Sequence, residues 1–240
     1  MSLPVFVHPG PFDGPVVLDG AEGRHAVSVK RIQAGERIML IDGLGSFARV
    51  LVTATRGKDE LSGEVEEGGV DKQPRPAVTV VQALPKAERS ELAVDLATQA
   101  GADAIVPWQA ERCVARWAGP KAAKGVAKWE ATALAAAKQS RRTRIPQIHE
   151  PVTTAQLAEL IAGKTALVLH EDSATPLREI DLDTEEIVLI VGPEGGIGPA
   201  ELQRLTDAGA RAVRLGPEVL RTASAAMVAL SAIGVLTGRW

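Results

Sequence analysis

Cysteine is almost missing from this sequence: Cys113 stands alone, so no internal disulfide can close. One thiol suits a reducing compartment. Free cysteine is among the most buried residue types, so Cys113 is expected to be a packing residue rather than a nucleophile. Tyrosine is absent, and three phenylalanines and four tryptophans make up the aromatic set, which argues against an extended platform for stacking bases. Long apolar runs are lacking too. The most membrane-like stretch, residues 219–236, contains Arg221 and is rich in alanine, serine and threonine, so it reads as a buried helix rather than a bilayer span. The opening MSLPVFVHPG has neither a basic start nor a long apolar segment; no secretory signal is read, and a cytoplasmic location is expected.

A surplus of positive charge is the last absence, since the formal net charge is −3. That total alone would speak against a nucleic-acid partner, because neutralising phosphates needs lysine and arginine. The distribution reverses the impression. Residues 1–73 carry 8 basic and 11 acidic groups, 74–150 carry 12 and 7, and 151–240 carry 7 and 12. Within the positive segment Lys138, Arg141, Arg142 and Arg144 lie close together with no acid among them. Such a cluster is either an RNA-facing patch or a solvated helix end, where cations are favoured by the dipole.

What is present is a well-patterned globular chain with 45% apolar residues. Its first seventy residues contain short alternating runs cut by turn signals, at 15–18, 37–41, 46–52 and 60–65, the mark of a small antiparallel sheet or barrel. Gly68-Gly69 and Pro74-Arg75-Pro76 then punctuate the chain where a linker fits. From Val78 the rhythm becomes strand, helix, strand, which predicts a parallel sheet with crossover helices. Val78 to Leu84 is a mainly apolar run, interrupted by Thr79 and Gln82, of the kind a doubly covered strand requires. Ser90 is placed to cap the next helix. Further strands are expected at 104–108, 165–170, 187–191 and 212–215, with helices at 121–140, 154–162, 199–208 and from 220. The expected division is a barrel domain over 1–73 and an α/β domain over 74–240.

The segment with most chemical content runs Val191-Gly192-Pro193-Glu194-Gly195-Gly196-Ile197-Gly198-Pro199-Ala200-Glu201. An apolar strand leads in and Pro199, suited to a first helical turn, leads out. Its glycines let the backbone approach a ligand without Cβ obstruction, and a strand-end loop of an α/β sheet is where ligands sit. The alternative is a tight turn with no ligand. A dinucleotide fingerprint starting at Gly196 fails, because Glu201 stands where the small third residue belongs. That disfavours a nicotinamide-dependent enzyme. Glu194 would also repel a phosphate, whereas a cationic sulfonium or an adenine amine would not be repelled.

Two more loops follow strands in the same half: Leu169-His170-Glu171-Asp172, and Leu215-Gly216-Pro217-Glu218-Val219-Leu220-Arg221-Thr222. Together with the glycine loop they resemble, in order and spacing, the three cofactor loops of the SPOUT methyltransferases. Over nearly the whole chain the sequence is similar to the RsmE family within that group. The matching pieces include Arg24-His25, Val29-Lys30-Arg31, Asp42-Gly43, Ala83-Leu84-Pro85-Lys86, residues 99–102 through Glu111-Arg112-Cys113, and Gln139-Ser140-Arg141-Arg142.

The resemblance implies a PUA-like β-barrel for RNA over 1–73 and, over 74–240, a SPOUT α/β domain with a parallel sheet and a C-terminal trefoil knot. It implies a homodimer as well. Periodicity would not have suggested the knot, since knots are close to absent among folds. S-adenosylmethionine is the implied cofactor and no metal is expected. Its pocket would take Leu169, His170 and Glu171 from the first loop. The second would supply Val191, Gly192, Pro193, Glu194, Gly195, Gly196 and Ile197, and the third Leu215, Gly216, Val219, Leu220, Arg221 and Thr222, with Ala225 beyond. The implied reaction is methylation of N3 of uridine 1498 in 16S rRNA of the small ribosomal subunit.

Uracil N3 carries a proton at neutral pH, so the site needs an acceptor for it and donors for charge building on the ring oxygens. Arg221 is the candidate donor, its alternative being a pair with Glu218. Glu171 and Glu194 are the candidate acceptors, their alternative being to cap backbone N–H groups; His170 is a weaker candidate. Phosphate contacts are expected from Arg24, Lys30, Arg31, Lys86, Arg89, Arg112, Arg141 and Arg142. One departure matters. Family members often carry glutamate after Leu-Arg-Thr, and here Ala223-Ser224 follow. A catalytically impaired RNA-binding homologue, or a SPOUT enzyme acting on another RNA position, therefore stays open as an alternative.

Overall fold

The computed structural model describes residues 3–240. Two compact units emerge, Met1–Gln73 with Ala137–Ile145, and Pro74–Ala136 with Pro146–Trp240. The contiguous division expected at residue 73 does not contain this exchange, in which nine residues from the middle of the chain join the first unit.

In the first unit, β1 (Val5–Val7), β2 (Val16–Leu18), β3 (Arg37–Ile41), β4 (Ser46–Arg56) and β5 (Glu60–Val70) form one sheet in the order β1-β3-β4-β5-β2. The sheet is mixed, because β1 runs parallel to β3 while the other pairs are antiparallel. Strand β1 has three residues, too few for an alternating pattern to mark it. Alternation does set the core elsewhere: Ile38 and Leu40 of β3, Ala48, Val50 and Val52 of β4, and Leu61 of β5 are buried around Phe6. One face of the sheet is thereby committed to the interior. Between β2 and β3 the chain forms a short helix α1 (Gly20–Arg24) that runs into a π-helical turn, His25–Val29. Ala26 within that turn and Ile32 beyond it add to the same core.

The second unit is built on a sheet of β6 (Ala77–Ala83), β7 (Ala104–Gln109), β8 (Gln147–Ile148), β9 (Val152–Thr153), β10 (Thr165–Leu169), β11 (Glu186–Val191) and β12 (Arg211–Val213), all paired in parallel. Its order is β12-β10-β11-β6-β7-β8, with β9 pairing β7. Val78, Val80, Val81, Ile187 to Ile190, and Ala166 to Val168 are buried, as strands covered on both faces must be.

Helices α2 (Ala87–Gln99), α3 (Pro120–Ser140), α4 (Thr154–Ile161), α5 (Pro199–Asp207) and α6 (Thr222–Thr237) make the crossovers and the C-terminus. A capping box starts α4: the Thr153 hydroxyl accepts from the Gln156 N–H and the Gln156 side chain answers the Thr153 N–H. Ser90 does not cap α2 as expected. The helix begins three residues earlier, and the Ser90 hydroxyl instead accepts from the Trp129 indole N–H at 2.8 Å. A buried indole donor needs a partner, and Ser90 is within reach of it. Helix α6 buries Ala225, Ala226, Ala229, Leu230 and Ile233, and packs against α2. The chain end is tied down by Arg239, whose guanidinium meets Asp103 at 2.9 Å and the Gly101 carbonyl at 2.7 Å. Among the described residues no helix is long and apolar enough to cross a membrane, and no cluster of three metal-ligating side chains occurs.

Candidate functional site

Parallel pairing of three neighbouring strands creates the site. With β10 between β12 and β11, Leu169 is level with Val213 and Val168 with Ile190. All three strands therefore end on one edge, and the loops that leave them open toward the same space. They close around a cavity of about 350 Å³. From the first loop Leu169, His170 and Glu171 line it; from the second, Val191, Gly192, Pro193, Glu194, Gly196 and Ile197; from the third, Leu215, Gly216, Val219, Leu220 and Arg221. Thr222 and Ala225 of α6 complete that side.

Among the described residues expected here, Gly195 is the one that does not line the cavity. It turns toward Arg112, whose guanidinium donates to its carbonyl at 3.1 Å. Four lining residues had not been assigned to the pocket: Arg89, Val213, Arg214 and Glu218. Val213 and Arg214 sit where the third strand ends, and Glu218 lies inside a loop already singled out, so all three were within reach of the pattern. Arg89 comes from α2, more than seventy residues away from the nearest of the three loops, and no local signal connects it to them. It had been expected to touch RNA phosphate.

The glycine loop has the shape its sequence demands. A Cβ on Gly192 would lie 2.7 Å from Ile197 Cγ1, so only glycine lets Ile197 fold back into the cavity wall. Gly196 takes a φ of +72°, and its N–H donates to the Pro193 carbonyl at 2.9 Å to close the turn. Pro199 then opens α5. Glu201, which broke the dinucleotide pattern, has a structural task. It is buried, and its Oε1 accepts from the Glu111 N–H at 3.0 Å and from the Thr154 hydroxyl at 2.5 Å. Since Thr154 also accepts from the Trp108 indole at 3.1 Å, this carboxylate ties the glycine loop's helix to the end of β7 and the start of α4.

Apolar and charged side chains share the cavity. Leu169, Val191, Ile197, Leu215, Val219 and Leu220 offer an apolar surface, with Glu171, Glu194, Glu218, Arg89, Arg214 and Arg221 among them. Glu194 Oε1 accepts from the Lys86 N–H at 3.1 Å, and Glu171 is exposed. His170 Nδ1 accepts from the Asp172 N–H at 3.2 Å, which holds its ring over its own turn. Arg221 is the residue on which α6 begins, its carbonyl accepting from the N–H groups of Ser224 and Ala225 at 2.9 and 3.0 Å. Ala223, where the resemblance to the family leads to an expected glutamate, is buried. Cys113 is buried as expected, and burial pushes its thiol above the ordinary range, which leaves it a poor nucleophile.

The basic residues expected to meet RNA fall in both units. In the first, Arg24, Lys30, Arg31 and Arg141 are exposed and Arg142 is half-buried. Arg31 and Arg141 have φ of +57° and +59°; Arg141 is thus the left-handed residue that ends α3. The cluster read from the sequence is divided, however. Lys138 is held in an ion pair with Glu22, and Arg144 donates to the Asp71 carbonyl at 2.8 Å, so both serve the fold. In the second unit Lys86 and Arg112 are exposed, while Arg89 faces the cavity.

Comparison with known proteins agrees with this geometry. Residues 71–234 match the model of an RNA methyltransferase domain, and residues 18–66 that of an RNA methyltransferase PUA domain. The chain is 52% identical over 230 residues to ribosomal RNA small subunit methyltransferase E of Mycobacterium bovis, covering 93% of this chain and 87% of that protein. With the protein of the same name from Bacillus subtilis the identity is 30%, covering 92% and 90%. A crystal structure of ribosomal RNA small subunit methyltransferase E from Neisseria gonorrhoeae bound to S-adenosyl methionine superposes with a TM-score of 0.89 at 27% identity, covering 98% of each chain.

Proposed function

The chain belongs to the ribosomal RNA small subunit methyltransferase E family, and on that footing we propose that it transfers a methyl group from S-adenosylmethionine to N3 of uridine 1498 in 16S rRNA. The observation that carries the reading is the convergence of three loops from adjacent parallel strands on one cavity. Its lining suits the cofactor. Apolar walls accept an adenine face, and Glu171, Glu194 and Glu218 offer carboxylates to a cationic sulfonium, with Arg89, Arg214 and Arg221 balancing their charge across the cavity. Leu169, Val191, Gly192, Gly196, Ile197, Leu215, Gly216 and Leu220 would hold it mainly through backbone groups and apolar contact. Bound there, S-adenosylmethionine supplies an electrophilic methyl on sulfur.

The protein's part is to place uracil N3 in line with that methyl and to manage one proton and one charge. As the N3 proton leaves, negative charge builds on the ring oxygens, and that charge is taken up when N3 bonds the methyl carbon and the methyl–sulfur bond breaks. Arg221 is assigned to those oxygens, as a permanently charged donor at the cavity wall. Of the two candidate acceptors Glu171 is assigned the proton, because it is exposed at the cavity, whereas Glu194 is already engaged by the Lys86 amide. The first unit, with Arg24, Lys30, Arg31, Arg141 and Arg142, is assigned to RNA phosphates together with Lys86 and Arg112. A homodimer, a C-terminal knot, a cytoplasmic location and a substrate presented within the small subunit follow from family membership as parts of the same proposal.

A second reading is favoured by Ala223: a homologue that binds RNA and cofactor but transfers slowly or elsewhere. Small subunits from cells lacking the gene, incubated with the purified protein and labelled cofactor, decide between them. One 3-methyluridine at position 1498 is the expected product by mass mapping of 16S rRNA. Label on another nucleotide or on a ribose 2′-hydroxyl, or cofactor binding without transfer, would overturn the proposal.

A further inference from the structure

Helix α2 reaches the cavity by a route that none of the three loops announces. Its first residue is preceded by Lys86, which has extended backbone and no side-chain cap of its own. In place of a local cap, the Lys86 N–H donates to Glu194 Oε1 at 3.1 Å, across 108 positions of sequence. One turn on, the Arg89 N–H donates to the Lys86 carbonyl at 2.8 Å, so where Lys86 is held decides where Arg89 stands. The Arg89 side chain lines the cavity at 30% exposure, and the nearest acid recorded for it, Glu88, is 4.0 Å away. Arg221 lines the same cavity from a different element.

We propose that Glu194 is a positioning residue that latches the start of α2 to the glycine loop, and that Arg89, set in place by this latch, contacts the target nucleotide inside the cavity. The inference rests on the reading of the cavity as the methyl-transfer site. Two features separate Arg89 from an outlying phosphate tether: it lines the cavity, and its backbone is coupled to the loop that would hold the cofactor. An outlying arginine would be indifferent to the glycine loop, whereas a latched one loses its aim when Glu194 is removed. The latch also gives Glu194 a role distinct from taking the proton. At this position a proton acceptor must be the ionised carboxylate, whereas a latch needs only an oxygen that accepts a hydrogen bond.

The test is a double-mutant cycle on the full-length protein, assayed with small subunits. Arg89→Ala is expected to lower kcat at least tenfold, as the loss of a donor to the reacting nucleotide does. Glu194→Ala should fall by a similar factor, and the double variant should be no worse than Arg89→Ala alone within about threefold. Glu194→Gln, which restores an oxygen acceptor without the charge, should recover at least fivefold over Glu194→Ala. Thermal melting and the Kd for S-adenosylmethionine are measured for each variant, to compare only folded, cofactor-binding proteins. If Glu194→Gln is as poor as Glu194→Ala, the carboxylate acts as the base and the latch is overturned. Losses that multiply in the double variant, or an Arg89→Ala effect confined to KM and its salt dependence, overturn it equally. Absence of transfer by the parent would instead sink the proposed function itself, so the two failures are told apart.

Discussion

Lys138 Nζ lies 2.6 Å from Glu22 Oε1 and 2.8 Å from Oε2, and Glu22 Oε2 also accepts the Val7 N–H at 2.9 Å. The lysine and glutamate side chains are only 13% and 25% exposed, and the ammonium sits 5.5 Å from the centre of the Phe6 ring. The pair therefore joins the end of α3, α1 and β1 within the first unit. Removing one member leaves the other charged and poorly solvated. Lys138→Ala should destabilise the protein by about 2–4 kcal/mol, read as a lower midpoint in urea. Its effect on RNA affinity should stay small and independent of salt. Arg141→Ala, an exposed change, should leave the midpoint in place and reduce the slope of log Kd against log salt by about one.

Asp42 gives the first unit an acid-sensitive turn. Burial alone would raise its carboxyl, but hydrogen bonds from the Ser46 side chain and from the N–H groups of Leu44, Ser46 and Gly45 outweigh it and hold the group below the usual aspartate value of 3.8. The amides of Leu44 and Ser46 lie 2.7 and 2.9 Å from Oδ1. Because the folded value is depressed, the stabilisation is complete above the unfolded value and is lost as pH falls through the folded one. Asp42→Ala is expected to cost about 2 kcal/mol near neutrality, from lost hydrogen bonds to a charged group. Melting curves of parent and variant should converge as pH drops below 3.8; a constant gap would show that the carboxylate charge is irrelevant.

Arg221 should matter more to turnover than to cofactor affinity. Its backbone starts α6 whatever the side chain, since the carbonyl accepts from Ser224 and Ala225, so Arg221→Ala should fold normally. The loss of a charged donor predicts a fall in kcat on the order of 100-fold. A Kd for S-adenosylmethionine within about threefold of the parent, by calorimetry, completes the expectation, in line with transition-state rather than ground-state binding. Equal activity of variant and parent would remove Arg221 from the chemistry.

How much of this was legible beforehand depended on whether the cause was local. Mostly apolar runs marked β6, β10 and β11, because a strand covered on both faces has little room for polar side chains; Gln82 of β6 is a buried exception, its amide donating to the Ala83 carbonyl at 3.0 Å. The glycine loop was readable because Gly192 and Gly196 answer to backbone constraints that act within a few residues. Family resemblance supplied the other two loops and the order in which they meet. The start of α2 is not legible locally: Ser90 looks like a cap, but the residue before the helix donates its N–H to a carboxylate from far along the chain, and Ser90 accepts from the Trp129 indole.

Composition and pattern by themselves determined that this chain would hold a small β-rich part, then an α/β part, with one buried thiol and a glycine-rich turn between a buried strand and Pro199. Only the tertiary structure decided which charges remain for a partner. Lys138 and Arg144 look identical to Arg141 in a linear reading, yet the first two are spent on Glu22 and the Asp71 carbonyl. Arg89 moved the other way, from presumed surface to cavity wall. The physical reason is the same in each case: local sequence sets backbone conformation and periodic burial, whereas the fate of a charged side chain depends on groups that only folding brings within hydrogen-bond distance.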